Sequence, residues 1–140
     1  MSNNPLIYLL DTNVCIVYLK NKNSNVNNYF QRIESDKIAV CSIVKAELFY
    51  GSRRSNNPQK SLNIQLLFLR QFVSLPFDDS CAEIYSRIRA NLEKAGTPIS
   101  SNDILIASIA LANDLILVTH NVREFKRIEG LKIEDWEEDK

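Results

Sequence analysis

Three carboxylates stand in apolar surroundings along this chain, at positions 11, 47 and 103. Asp11 ends the apolar run 6–10, Glu47 lies among apolar residues of a predicted helix, and Asp103 opens a strongly apolar segment. Carboxylates in such settings cost free energy unless they are paired or bind a metal. Oxygen ligands from separate elements suit Mg²⁺ or Mn²⁺, whereas Zn²⁺ prefers Cys and His. Together the three residues favour a site for Mg²⁺ (or Mn²⁺) over acid–base chemistry without metal.

Each carboxylate also has a purely structural interpretation. Asp11 can simply cap the helix that follows it. The Glu47 side chain can turn out to solvent or pair with a lysine. Asp103 follows Ser100 by three residues, as in a capped first helical turn, where the helix dipole favours a carboxylate. These alternatives stay open for each residue alone, whereas the three residues together favour a metal site.

A fourth group of polar residues follows the last long predicted strand. Thr119 and Asn121 offer oxygens there, although an ordinary turn with an asparagine cap explains them equally well. His120 is the only histidine, which excludes a ribonuclease mechanism that uses two histidines, and we expect it to be a turn residue. Glycine-rich phosphate-binding motifs are absent from the sequence.

Strands and helices alternate along the chain. The pattern predicts strands at 6–11, 37–41, 75–77, 115–119 and 131–133. It predicts helices at 14–20, 26–34, 42–52, 58–73, 80–96 and 100–112, with Ser42 as the N-cap of the third. This order favours an α/β fold, a three-layer α/β/α sandwich with a mainly parallel central sheet. In such folds ligands bind outside the carboxyl ends of the strands, where Asp11 falls.

Composition restricts the classes of protein that the chain can belong to. The 140 residues, 45% of them hydrophobic, predict a single folded domain over 1–140. Apolar runs are shorter than the roughly 20 residues that span a bilayer, and residues 1–5 do not resemble a signal peptide, so we expect a cytoplasmic protein without membrane contact. The formal net charge is zero, so overall charge gives no argument for nucleic-acid binding. The three widely spaced cysteines, at 15, 41 and 81, predict buried free thiols.

Short motifs in a fixed order along almost the whole chain resemble the PIN-domain family, in particular the VapC-type ribonuclease toxins of type II toxin–antitoxin pairs. The motifs are Leu10-Asp11-Thr12-Asn13, Ala46-Glu47-Leu48 with Tyr50-Gly51, Asn102-Asp103, Val118-Thr119-His120-Asn121 with Glu124-Phe125, and Glu134-Asp135-Trp136. Each motif is weak alone, and their order and spacing are specific together.

The resemblance implies an endoribonuclease that depends on Mg²⁺ or Mn²⁺ and cleaves RNA, such as tRNA, by in-line attack of metal-bound water. Asp11, Glu47 and Asp103 map onto the family's catalytic, metal-binding acids. The residues expected to support them are Thr12, Asn13, Ser42, Thr119 and Asn121. Many relatives carry a further acid in the stretch where this chain has Asn121.

The resemblance also implies a cognate antitoxin protein, and a toxin homodimer or a higher toxin–antitoxin assembly. An apolar groove for a partner helix is one interpretation of the residues Val17, Tyr18, Tyr29, Phe30, Leu66, Phe68 and Phe72, and a place in the core is the other. The arginines proposed to contact the RNA backbone are Arg53, Arg54, Arg87, Arg89 and Arg123.

Two other functions compete with this prediction. A PIN-like domain without catalysis could bind RNA or a protein partner, although retention of all three acids argues against it. A receiver-type phosphoacceptor module also places an aspartate at a strand end. Such a module needs an acidic pair after its first strand and a lysine after its last core strand, whereas this chain has Thr12-Asn13 and His120-Asn121.

Overall fold

Five parallel strands form one sheet in the computed structural model, which describes residues 5–138. In chain order they are β1 (Tyr8–Leu10), β2 (Ile38–Cys41), β3 (Val73–Leu75), β4 (Ile116–Val118) and β5 (Ile133–Glu134). Their spatial order is β3-β2-β1-β4-β5, so β1 is central. Residues 1–4 and 139–140, on which parts of the leader and domain predictions rest, lie outside the described residues.

Helices flank this sheet and confirm the predicted α/β/α architecture, with every strand pair parallel. They are α1 (Thr12–Lys20), α2 (Asn25–Arg32), α3 (Ser42–Arg53), α4 (Pro58–Leu69), α5 (Asp79–Lys94), α6 (Ser101–Ala112) and α7 (Val122–Phe125). Within residues 5–138, none of them is both long and apolar enough to cross a bilayer.

The register of the two central strands decides which side chains meet at the carboxyl edge of the sheet. Leu10 of β1 pairs with Val118 of β4, and the Asp11 backbone N–H donates to the Val118 carbonyl oxygen at 2.9 Å. The Thr119 N–H donates to the Glu134 carbonyl oxygen at 2.9 Å in turn. The residue after β1 and the residue after β4 therefore lie side by side.

The third strand begins two residues earlier than the sequence predicts. Proline has no N–H for a strand ladder, so pairing with β2 ends at Leu75 and leaves Pro76 and Phe77 outside. Ser42, predicted as a cap, is instead the first helical residue of α3 after Cys41. Its hydroxyl faces the end of β3 and lies 3.5 Å from the Leu75 carbonyl oxygen.

Most of the aromatic residues proposed for a partner groove belong to the interior. Phe68 and Phe72 are buried, and the Tyr18 and Phe30 rings pack against Phe68 with centroids 5.1 Å and 5.9 Å away. The members that are buried or pack against the core are Val17, Tyr18, Tyr29, Phe30, Phe68 and Phe72. The core interpretation therefore holds for Phe68 and Phe72, whereas Leu66 is 47% exposed and the partly buried Val17, Tyr18, Tyr29 and Phe30 fit either interpretation. The predicted buried, free cysteines are confirmed.

Trp136 closes the β5 side of the core. Its side chain is fully buried, and its ring lies 5.1 Å from the Tyr8 ring and 4.9 Å from the parallel Tyr29 ring, centroid to centroid. The indole N–H donates to the Glu134 carboxylate at 3.0 Å. These contacts attach the C-terminal segment to α2 and to the central strand.

We expect Trp136→Ala to lower the free energy of unfolding by about 3–5 kcal/mol, because it leaves a large cavity between β1, α2 and the C-terminal segment. Trp136→Phe keeps most ring contacts and should cost much less. Urea denaturation followed by far-UV circular dichroism measures both, since Trp136 is the only tryptophan. An equal loss in the two variants would contradict a role for ring packing.

Candidate active site

Several carboxylates lie at the carboxyl edge of the sheet, which we call the acidic edge. Asp11 is its buried centre. One carboxylate oxygen, Oδ1, accepts from the Thr12 backbone N–H at 2.8 Å, so the residue caps α1. The other, Oδ2, accepts from the Thr119 hydroxyl at 2.7 Å. Burial raises the pKa of Asp11, the charge on Glu47 adds to this, and the two hydrogen bonds oppose it. The structural interpretation of Asp11 as a helix cap is therefore confirmed, and the same carboxylate is buried at the carboxyl edge of the sheet.

Glu47 reaches this edge from the second turn of α3. Its Oε1 accepts from the Thr12 hydroxyl at 2.6 Å, and its Oε2 lies 3.4 Å from the Asn102 side-chain nitrogen. The side chain is half-buried and faces α1 and α6 rather than solvent. A lysine partner, the alternative that the sequence leaves open, is not what holds it.

Asp103 lies in the first turn of α6, as the spacing predicts. Ser100 is the N-cap, and its hydroxyl oxygen accepts from the Asp103 backbone N–H at 3.2 Å. Burial, followed by the charges on Asp11, Glu124 and Glu47, raises the pKa of Asp103 to about 6. The three predicted carboxylates therefore share one electrostatic environment, although they come from β1, α3 and α6.

Glu124 is a fourth carboxylate at this edge, and the sequence prediction missed it. It lies on the four-residue helix α7, where it accepts from the Asn121 side-chain amide at 3.3 Å. The Asn121 backbone N–H donates to the Thr119 hydroxyl oxygen at 3.0 Å. Asn121 and Glu124 have the spacing of an N-cap and its third helical residue. This spacing is the sequence feature that indicates a short helix with Glu124 in its first turn.

Within residues 5–138, Asn13, Ser42 and His120 form no hydrogen bond with Asp11, Glu47 or Asp103. Asn13 is exposed on the first turn of α1, and Ser42 faces β3. His120 is exposed and pairs with Asp135 at 3.0 Å, which, with the charge on Glu137, raises the pKa of the imidazole. This pairing agrees with the expected turn position of His120.

The proposed RNA-contacting arginines fall into separate groups. Arg87 and Arg89 form ion pairs at 3.1 Å with glutamates one turn away on α5. Arg53 and Arg54 end α3, the helix that carries Glu47, and Arg123 lies on α7. The last three are therefore on the two elements that also supply carboxylates to the acidic edge.

The chemistry of the donor set fits a hard divalent cation. Within residues 5–138, no three His, Cys, Asp or Glu side chains are gathered closely enough to hold a metal by themselves. Mg²⁺ does not require such a cage, since it keeps several waters and binds through one or two carboxylates. The mutual repulsion that raises the pKa of Asp103 is what a bound cation would relieve.

A family model for the PIN domain matches residues 8–131. The chain belongs to the PIN-domain family. Ribonuclease VapC2 of Rickettsia felis is 39% identical over 133 residues, which cover 94% of this chain and 99% of that protein. The tRNA(fMet)-specific endonuclease VapC of Salmonella typhimurium is 37% identical over 131 residues, with 94% and 98% coverage. PIN-domain ribonucleases generally depend on a divalent metal.

Solved VapBC structures contain chains that resemble this one along most of its length. The crystal structure of DNA-bound VapBC from Salmonella typhimurium contains a chain that superposes with a TM-score of 0.89 at 38% identity, covering 94% of this chain and 98% of that one. VapBC2 from Rickettsia felis, bound to a promoter DNA fragment, gives 0.88 at 36% identity, with 94% and 99% coverage.

We expect Asp103→Asn to stabilise the metal-free PIN domain near neutral pH. A carboxyl group with a raised pKa favours the folded state below its unfolded value of 3.8, and that contribution is lost as the pH rises through about 6. The variant should therefore gain on the order of 1 kcal/mol at pH 7, after allowance for solvent screening, and nothing below about pH 4. Urea denaturation in EDTA at both pH values measures this, and a variant less stable at pH 7 would contradict it.

Thr119→Val removes the hydroxyl that binds both Asp11 and the Asn121 N–H. Leaving buried polar groups without partners should lower the free energy of unfolding by about 1–3 kcal/mol. Thr119→Ser retains the hydroxyl and should keep most of the stability. Chemical denaturation at pH 7 compares the two variants, and equal stability of Thr119→Val and the parent chain would show that the hydrogen bonds contribute little.

Proposed function

We propose that this chain is an endoribonuclease, the toxin of a type II toxin–antitoxin pair, and that it cleaves RNA of the tRNA class. One observation carries the proposal: the carboxylates of Asp11, Glu47 and Asp103 lie at the carboxyl edge of a PIN-domain sheet, where burial and then the charges on Asp11, Glu124 and Glu47 raise the pKa of Asp103 to about 6. The names of the full-length relatives support ribonuclease activity.

The residues of the chain orient the carboxylates before substrate arrives. Thr12 and Thr119 each hold a carboxylate oxygen of Asp11, and the Thr12 hydroxyl also holds Glu47. We assign Asp11, Glu47 and Asp103 to binding Mg²⁺ or Mn²⁺, with Glu124 as a further carboxylate at the same edge. When bound, the cation supplies charge neutralisation, polarises a phosphoryl oxygen and lowers the pKa of water.

The reaction that this edge favours is direct hydrolysis of the phosphodiester. Water attacks phosphorus in line with the departing 3′ oxygen, the P–O3′ bond breaks, and the products carry 5′-phosphate and 3′-hydroxyl ends. The alternative, attack by the ribose 2′-hydroxyl, needs an acid–base pair. His120, bound to Asp135 on the exposed side of the edge, does not provide one.

A partner surface separate from the acidic edge lies on α4. Ile64, Leu66 and Leu67 are exposed there, beside a cleft of about 220 Å³ that Ile16 and Leu19 of α1 also line. The side-chain oxygen of Gln65, which lines the same cleft, is buried without a hydrogen-bond partner in the described structure. We propose that an apolar antitoxin segment covers this surface and donates to that oxygen. VapBC complexes among the structural relatives support such a partner.

Membership of the PIN-domain family also supports proposals about the domain, the oligomeric state and the location of the chain. We propose one nuclease domain over the whole chain, a homodimer within the toxin–antitoxin assembly, and a cytoplasmic location, where a tRNA nuclease meets its substrate. Mg²⁺ or Mn²⁺ is the proposed ion because the donors are carboxylate oxygens.

We expect antitoxin-free protein to cut total RNA at discrete positions with Mg²⁺ or Mn²⁺, and EDTA to stop the cutting. Asp11→Asn should reduce the rate by more than 100-fold, since even partners outside the first coordination shell typically cost about 10- to 100-fold. Asp114→Asn is the matched control, because this aspartate is 90% exposed and precedes β4, at the opposite edge of the sheet. Sequencing of the fragment ends identifies the RNA and the bond.

Three outcomes would contradict the proposal in different ways. Cuts that survive in Asp11→Asn would indicate a contaminating nuclease or another site. RNA binding without cutting would favour the domain without catalysis. Fragments with 2′,3′-cyclic phosphate would exclude direct hydrolysis.

A further inference from the structure

Helix α3 carries an aromatic ring and a guanidinium beyond Glu47. Tyr50 and Arg54 follow that glutamate by three and seven residues, which places all three within about 60° of arc on the helix surface. The ring position lies roughly 4.5 Å, and the arginine roughly 10.5 Å, further along the helix axis than Glu47. A continuous stripe thus leads from a carboxylate of the acidic edge to the end of α3.

Tyr50 is exposed in a way that packing does not explain. Its side chain is 63% exposed, whereas the buried face of α3 is formed by Val44, Leu48 and Ser52. The neighbouring Gly51 leaves open space, since an added Cβ there would meet no atom within 4 Å. With most of the side chain exposed, the ring face that Arg54 does not cover is accessible for a flat ligand.

Arg54 is held beside the ring. Its guanidinium carbon lies 5.1 Å from the Tyr50 ring centroid, a cation–π distance. Its backbone N–H donates to the carbonyl oxygens of Tyr50 and Gly51, each at 3.2 Å, so the turn that carries the arginine is fixed. Unlike Arg87 and Arg89, whose charges are paired with glutamates, Arg54 presents its charge next to an aromatic surface.

We propose that Tyr50 and Arg54 form a nucleotide subsite for single-stranded RNA, with a base stacked on the ring and a phosphate beside the guanidinium. The inference rests on the proposed ribonuclease function and adds a binding residue to it. Single-stranded RNA is bound through stacking on aromatic and arginine planes. A chain with zero net charge and an acidic edge also needs a local cation to hold a polyanion, and Arg54 supplies one on the same stripe as Glu47.

The subsite has a consequence for substrate selection. A base stacked on Tyr50 must be unpaired, because its face is not available inside a duplex. The RNA segment next to the bond that is cut must then be single-stranded, as in a loop, while the rest of the molecule can be folded.

The test measures binding separately from cutting. The probe is a fluorescein-labelled single-stranded RNA decamer, titrated by anisotropy against Asp11→Asn protein so that it stays intact. Adding Tyr50→Ala should weaken binding about 10-fold, and Tyr50→Trp should restore it, because stacking needs only an aromatic face. Val73→Ala, at a 43% exposed position on the edge strand β3, is the control and should change nothing. In the cleaving protein, Tyr50→Ala should raise KM and leave kcat nearly unchanged.

The outcomes separate this inference from the proposed function. If the parent chain cuts RNA and Tyr50→Ala binds the decamer equally well, the subsite is wrong and the nuclease assignment stands. If Tyr50→Ala changes the sedimentation of the protein but not its affinity for RNA, the ring belongs to a protein interface and the inference is also wrong. If the parent chain neither binds nor cuts RNA, both fail.

Discussion

The buried hydrogen bond from the Thr119 hydroxyl to Asp11 is the contact on which the acidic edge depends. It joins the residues that follow two neighbouring parallel strands, β1 and β4, and is 2.7 Å long. The other Asp11 oxygen begins α1 by accepting from Thr12, whose hydroxyl then fixes Glu47. One carboxylate thereby ends a strand, starts a helix and orients a second carboxylate.

The same arrangement has a cost for folding. Burial disfavours the charged forms of Asp11 and Asp103, and the neighbouring carboxylates on α3 and α7 add to the effect on Asp103. Nothing in hydrophobic packing requires this crowding. Keeping these carboxylates close together lowers the stability of the fold at this edge, which is typical of a binding or catalytic site.

The sequence predicts the layers of this fold well because they follow from local patterns. Apolar runs that end in polar residues locate β1 and β4, and helical spacing locates α3 and α6. Contacts between distant elements are harder to predict: Asn102 reaches Glu47 across 55 positions, and no local pattern reports that approach. Glu124 was missed for a similar reason, since a four-residue helix has too little periodicity to be recognised.

Counting apolar residues also fails to separate interior from surface. Leu67 and Phe68 are consecutive on α4, and the first is exposed while the second is buried. Which of them faces the core depends on how α4 is rotated against α1 and α3, and this rotation is a property of the packed structure. The same holds for the residues that the sequence leaves open between a partner groove and the core.

The connectivity of the sheet determines when the acidic edge can exist during synthesis. Asp11 and Thr119 are 108 positions apart, and the Thr119 backbone is itself tied to Glu134 on the last strand. A nascent chain therefore displays Asp11 long before the hydroxyl that orients it has left the ribosome. Orientation of Asp11 by Thr119 must therefore follow the synthesis of β4 and β5, however early β1 and α1 are made.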